Sequence, residues 1–369
     1  MARVSGKVTY ANGKAAEGIE VRVFDRDAPG KGDDDLTTTP GLSSARGEFT
    51  VEYNPGRFLD FVDLSLPGLE NSGLRVPDPL DILTPYLQFR YPFNGEERFF
   101  SATIGMFQRD FSLPEAMPLD FLPSRHGFKF TNTFPGFDLP FSLGLMKDGA
   151  RIADPYGLCG GMSAASFDFL LANRPIPGDQ EPPARNRPLY RYLFRRAIDS
   201  FKTGAMILRF VQWMLLPDDT EHGIRHLTWK EFQKIRSALA QHKLVPIGLL
   251  YYRPPRTRNG EPIEKGEQIQ TAVRNLSNNH QVLAYGIQEQ PDGAAHIQIY
   301  DPNGPCQDEV YLRVERVQLN KSDREPLYGL RCREHNLWLT HKGKKFLHEP
   351  LVYGFFEMPY DAIEPPDRL

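Results

Sequence analysis

Apolar residues near the start of the chain alternate with polar ones. Val4, Val8 and Tyr10 lead to a turn at Ala11-Asn12-Gly13, and Ile19, Val21 and Val23 follow with Glu20 and Arg22 between them. A period of two is the mark of a strand with one buried face. Gly47–Tyr53 predicts a third strand, Leu59–Leu66 a fourth and Glu97–Gly105 a last one. Short strands separated by turn signals predict a β-sandwich. The stretch from Asn71 to Pro123 is rich in proline and has no clear period. Pro114, Pro118 and Pro123 mark a connecting segment that sets a boundary near residue 110. The expected domains are therefore 1–110 and 111–369.

Beyond that boundary the pattern changes. Ser124 to Met146 is aromatic and expected to wall a cleft. A helix-forming run follows Cys159 through Leu171 and must stop before Arg174-Pro175, because a residue preceding proline leaves the helical region. Leu189–Phe210 predicts one long helix, with Leu189, Leu193, Ala197 and Phe201 on one face. Thr228-Trp229-Lys230-Glu231 has the form of a capping box, so a helix is expected from there to about His242. Leu244–Tyr252 is continuously apolar and suits a strand buried on both faces. Strands are also predicted at Gln281–Ile287, His296–Tyr300, Val310–Val314 and Leu351–Phe356. Helices first and a largely antiparallel sheet after make an α+β domain.

With 369 residues, 40% hydrophobic and 25% charged, the chain can bury a sizeable core in two domains. A net charge of -3 argues against a general nucleic-acid surface. Three cysteines form no disulfide framework and fit a reducing compartment. No apolar run has the form of a signal peptide or is long enough to span a bilayer, so the expectation is a cytoplasmic protein or one exported without a cleaved signal. The acidic loop with Asp25, Asp27, Asp33, Asp34 and Asp35 lacks EF-hand spacing and reads as solvated. His222 and His226 have helical spacing but no carboxylate at the matching position, so they read as a surface turn and not a metal site. No metal or cofactor is implied. Arg187, Arg191, Arg195 and Arg196 read as a solvated helix face.

Cys159 is the centre of the candidate chemistry. It sits in Tyr156-Gly157-Leu158-Cys159-Gly160-Gly161-Met162, where a turn delivers one sulfur to the head of a helix. The free amides and dipole there favour a thiolate, and the two glycines leave the backbone open to another chain. A lone cysteine is as readily a packed, inert one. Cys306 and Cys332 default to structural packing. Thiol catalysis also needs an imidazole in hydrogen-bond reach and a group to orient it. His280 leads the strand that continues as Gln281-Val282-Leu283, and Asp301 ends the next strand in Tyr300-Asp301-Pro302-Asn303. Antiparallel neighbours would bring the two together. Taken alone, His280 is a satisfied histidine at a strand end.

Two resemblances follow from these motifs. The run "VSGKVTY…GIEVRVFDRD…ARGEFTVEY" resembles the transthyretin-like, carboxypeptidase-regulatory-like sandwich, which implies an accessory or adhesive module whose partner is unknown. "YGLCGGMSAASFDFL", "EFQKIRSALAQHKLVPIGLLYY", "NNHQVLAYGI" and "IQIYDPNGP", in that order, resemble the papain-like cysteine peptidases, in particular the branch with bacteriocin-leader peptidases. That resemblance covers roughly residues 150–305. It implies Cys159 as nucleophile, His280 as general base and acid, and Asp301 as orienting carboxylate, with Asn303 as a rival for the last role. The family's glutamine before the cysteine, a donor to the oxyanion, is replaced here by Ala153. Losing such a donor costs roughly a hundredfold or more in rate. Asn132, Tyr156 and the Cys159 amide are the candidate replacements. The implied reaction is acyl transfer through a Cys159 thioester, with hydrolysis of a peptide or isopeptide bond in a protein substrate as the leading outcome. Transfer to an amine, deamidation, and an inactive peptidase fold used for binding are the alternatives.

Overall fold

The computed structural model describes residues 1–26, 33–57, 61–63, 75–77, 84–105, 109–134, 157–320, 325–339 and 345–369. They divide into two compact units, Met1–Met117 and Pro118–Leu369. A boundary at 110 would fall inside a strand, Asp110–Ser112, that pairs in parallel with the first strand and so belongs to the first unit.

The first unit consists of β1 (Ala2–Thr9), β2 (Glu20–Asp25), β3 (Asp34–Asp35), β4 (Thr37–Thr39), β5 (Gly41–Leu42), β6 (Glu48–Tyr53), β7 (Phe61–Asp63), β8 (Arg75–Pro77), β9 (Pro85–Phe93), β10 (Glu96–Thr103) and β11 (Asp110–Ser112). One sheet has the order β11-β1-β6-β4 and a second the order β10-β9-β2-β3, with β5 also on β2. Their inward residues share one core. Val4, Val8, Phe49, Val51 and Phe111 of the first sheet meet Val21, Val23, Leu87, Phe89 and Tyr91 of the second. Phe89 sits edge-on to Phe49 at 5.6 Å between ring centroids. This is a β-sandwich. The strand expected at Leu59–Leu66 is described only over Phe61–Asp63, which pairs with β8. Within the stretch that had no clear period, β9 is an inner strand. Its two prolines occupy the first position and one near the end, where a missing N–H costs the ladder least. In the acidic loop, Asp25 accepts from the amides of Arg26 and Thr84, Asp33 from the Tyr86 hydroxyl, and Asp35 binds Arg22. Asp27 lies outside the described residues.

The second unit has helices α1 (Pro123–His126), α2 (Cys159–Leu171), α3 (Pro188–Ser200), α4 (Ala205–Leu215), α5 (Ile224–Ala240) and α6 (Lys265–Arg274). Its strands are β12 (Val245–Leu250), β13 (Thr257–Arg258), β14 (Glu261–Pro262), β15 (His280–Glu289), β16 (Ala295–Tyr300), β17 (Tyr311–Gln318), β18 (Tyr328–Leu339), β19 (Lys345–His348), β20 (Leu351–Val352) and β21 (Gly354–Glu357). The main sheet runs β19-β18-β17-β16-β15-β12-β21, antiparallel at each step. The core between this sheet and α5 contains Phe232, Ile235, Val245, Ile247, Val282 and Ile297. On the other face α2 packs through Phe167 and Leu171 against Leu283 and Tyr300. Phe128, Phe130 and Phe134, from the segment expected to wall a cleft, pack instead into the core of α2 and α3; residues 135–146 of that segment lie outside the described residues.

Two helix expectations need correction. Leu189–Phe210 is two helices, because Lys202 and Gly204 adopt positive φ values of 39° and 95° and break the ladder. The predicted capping box does not cap: α5 already starts at Ile224, the Thr228 hydroxyl donates back to the Ile224 carbonyl at 2.7 Å, and Glu231 accepts from the Glu357 amide at 3.0 Å. Among the described residues no helix is long and apolar enough to cross a membrane.

Candidate active site

The site begins at the head of α2. This helix is buried almost all round by small and apolar residues, so it is a core element and not an amphipathic surface helix. Its first turn carries no acidic residue and no side-chain cap. The first intrahelical bond is from Met162 N–H to the Leu158 carbonyl at 2.8 Å, so the amides of Cys159, Gly160 and Gly161 all precede it. The glycines are there for close approach. A Cβ at Gly160 would collide with the Gln281 side chain, and one at Gly157 with the Asn132 amide.

His280 opens β15, opposite Leu249 of β12. Leu283 pairs with Tyr300, so Asp301 lies just past the last pair of the β15–β16 ladder, beside His280. The His280 Nε2 and Asp301 Oδ1 are 2.6 Å apart, both residues buried. The turn after Asp301 is closed by its own atoms: the Asn303 amide donates to Oδ1 at 2.8 Å and the Gly304 amide to the Asp301 carbonyl at 3.0 Å. Asp301 Oδ2 accepts from Asn336 Nδ2 at 3.0 Å.

Two influences compete at the imidazole. Burial alone would lower its pKa, but the charge of Asp301 and that of Cys159, with a hydrogen bond to each, hold His280 well above the usual histidine range. Burial likewise works against the Asp301 carboxylate, yet His280, the Asn303 amide and Glu334 keep it below its ordinary value. Cys159, His280 and Asp301 therefore meet, with Asp301 bonded to the imidazole. Asn303 is close, with Nδ2 3.3 Å from Nε2, but that nitrogen is a donor facing an atom already engaged with a carboxylate.

Asn132, a candidate oxyanion donor, gives its Nδ2 to Asn303 Oδ1 at 3.1 Å and its backbone amide to the Pro302 carbonyl, so it braces the Asp301 turn. Tyr156 and Ala153 lie outside the described residues. Cys306 is exposed and Cys332 is buried. His226 Nδ1 is 2.7 Å from the Tyr328 carbonyl oxygen.

Sequence reasoning missed a further layer. Glu334 and Asn336 of β18 reach the back of the site: Asn336 Nδ2 donates to Glu334 Oε1 at 3.1 Å as well as to Asp301, and the Tyr251 hydroxyl donates to Glu334 Oε2. Burial and the charge of Asp301 push the Glu334 carboxyl up to about 7. The signal was present in the period of two: Leu330, Cys332, Glu334 and Asn336 occupy one face of β18, and that face is buried. An ionisable residue on an inward stripe calls for a partner.

No family model and no curated protein matches this chain. Among solved structures it is similar to a 9R-lipoxygenase from Cyanothece PCC8801, with a TM-score of 0.18 and 11% identity over 96% of this chain. The chain spans 42% of that protein's length, and a likeness at this level carries no argument about fold or chemistry.

Proposed function

We propose that the second unit is a papain-like cysteine hydrolase domain acting on a peptide or isopeptide bond, and that the first is a transthyretin-like accessory sandwich. The observation that carries the proposal is the 2.6 Å His280–Asp301 contact, with Cys159 at the head of a helix close enough for its charge to act on the imidazole. With Nε2 committed to Asp301, Nδ1 is the nitrogen left to serve the sulfur. The Cys159 thiolate attacks the carbonyl carbon, and the tetrahedral oxyanion draws on the amides at the start of α2. The C–N bond breaks as His280 gives its proton to the leaving nitrogen, which leaves a thioester. Water then attacks the thioester, His280 takes the water proton, and the C–S bond breaks to give a carboxylate and restore the thiolate. If an amine replaces water the same intermediate ends in transfer, and a glutamine side chain as substrate ends in deamidation.

A second reading is favoured by one observation: Cys159 is only 7% exposed. A peptidase fold that binds a partner without turnover would tolerate that burial. Digestion of a mixed peptide library by the wild type and by Cys159→Ser separates the two. New termini formed by the wild type and absent with the variant support hydrolysis. An unchanged library, or cleavage that survives the substitution, overturns it.

A further inference from the structure

Behind the site, two carboxyl groups share one support. Asn336 Nδ2 stands 3.0 Å from Asp301 Oδ2 and 3.1 Å from Glu334 Oε1. The two carboxyl groups are thus bridged by a single side-chain amide, close enough for each to act on the other's proton affinity. Both residues are buried, Asp301 at 3% and Glu334 at 4% exposure. Two carboxylates this close and this dry do not both ionise.

The surroundings decide where the proton sits. Asp301 faces the imidazole of His280. Glu334 faces the Tyr251 hydroxyl just after β12, the Asn336 amide, and the Cys332 thiol on its own strand. Asp301 and His280 are the charged groups that act on it, one raising and one lowering its proton affinity.

We infer that Glu334 carries a proton while Asp301 is charged, and that this neutral neighbour keeps Asp301 seated on His280, so that ionisation of Glu334 loosens the site. Glu334 is thus a positioning residue that sets the alkaline limit of the proposed thiol chemistry, and the inference rests on the Cys159–His280–Asp301 reading above. Once Glu334 ionises, two buried negative charges confront each other across one neutral amide. That repulsion acts on the same carboxylate that holds the His280 imidazole.

Two readouts on the full chain test this. In infrared spectra taken across neutral pH, the wild type is expected to show a protonated-carboxyl band on the acid side that fades with a midpoint near about 7. Glu334→Gln removes that band. Tyr251→Phe removes a donor that favours the carboxylate and moves the midpoint upward. In the second readout, the rate of Cys159 alkylation by iodoacetamide shows a severalfold step at the same pH in the wild type. Glu334→Gln, which keeps a neutral donor in place, loses the step, whereas Glu334→Ala lowers the rate on both sides of it. A wild-type spectrum with no band sensitive to Glu334→Gln overturns the inference, and so does a step that survives that substitution. A Cys159 that is sluggish at every pH in all variants sinks the catalytic reading instead, and the infrared result then decides the Glu334 proton by itself.

Discussion

The two ends of α2 each hold a buried polar cluster, and the clusters differ in one respect. Near the C-terminal end, Asp168 pairs with the Arg196 guanidinium, 2.7 Å from its Nε and accepting from its Nη2 at 3.1 Å, and it accepts from the Tyr192 and Tyr360 hydroxyls at 2.7 Å each and from the Ile363 amide at 3.2 Å. Both carboxylate oxygens are occupied, and Arg196 also donates to the Asp361 carbonyl. Burial works against the guanidinium, but Asp168 outweighs it and leaves Arg196 above its ordinary value. That network joins α2 to α3 and to the C-terminal segment, and it closes on itself. At the N-terminal end, the series from Glu334 and Asn336 through Asp301 and His280 reaches the Cys159 sulfur, beside helix amides that precede the first helical bond. Burial and charge are common to both ends. What separates a structural cluster from a candidate for chemistry is whether the network ends in a group that can form a new bond.

The comparison can be broken most sharply at the closed end. Arg196→Met leaves the Asp168 carboxylate buried without its counter-charge, so the unfolding transition of the second unit is expected to lose about 3–5 kcal/mol in urea titrations. The double variant Asp168→Asn with Arg196→Met should recover much of that loss. Cys159 alkylation in the folded fraction of either variant should stay near the wild-type rate.

The open end predicts a pH-dependent effect of somewhat smaller size. Glu334 moves from 4.5 in the unfolded chain to about 7 in the folded one, so folding favours its protonated form. Its contribution is full below 4.5 and is lost as pH rises through about 7, a swing of about 3 kcal/mol. Glu334→Gln has no proton to lose. Its stability relative to wild type should therefore rise between acid and neutral pH and level off above, as read from denaturation midpoints at a series of pH values. A constant difference at all pH values would contradict the assignment.

The exposed pairs of the sandwich set the lower bound. Arg22 bonds with Glu20 at 2.7 Å and Asp35 at 2.8 Å, but its side chain is 40% exposed. Arg22→Ala should change the stability of the first unit by no more than about 1 kcal/mol, and by less in high salt.

How much of this was legible in the sequence follows from the range of the interactions. Cys159, His280 and Asp301 stand where local signals point: a Gly-flanked helix start, a strand's first residue, and an Asp-Pro-Asn-Gly turn after a strand. The alternation of Val21 and Val23 with Glu20 and Arg22 likewise announced a sheet with one buried face. The split at Lys202–Gly204 was hidden because apolar spacing continues across it into α4. β9 was hidden by its prolines. For Glu334 and Asn336 the period of two marked the inward face but not the partner. Their partner Asp301 lies at the end of a strand two steps away in the sheet, and no local pattern encodes that pairing. Asn132 was a candidate for the oxyanion, but its contact with Asn303 depends on how two distant loops meet.

The most direct test of the central claim uses the protein's own thiols as the standard. Cys306 is exposed and Cys159 is buried, so accessibility alone favours Cys306. If His280 activates Cys159, limiting iodoacetamide at neutral pH will modify Cys159 first, as read by mass spectrometry of the digested protein, and His280→Ala will reverse that order. Faster modification of Cys306 in the wild type, with no change on His280→Ala, would contradict the account.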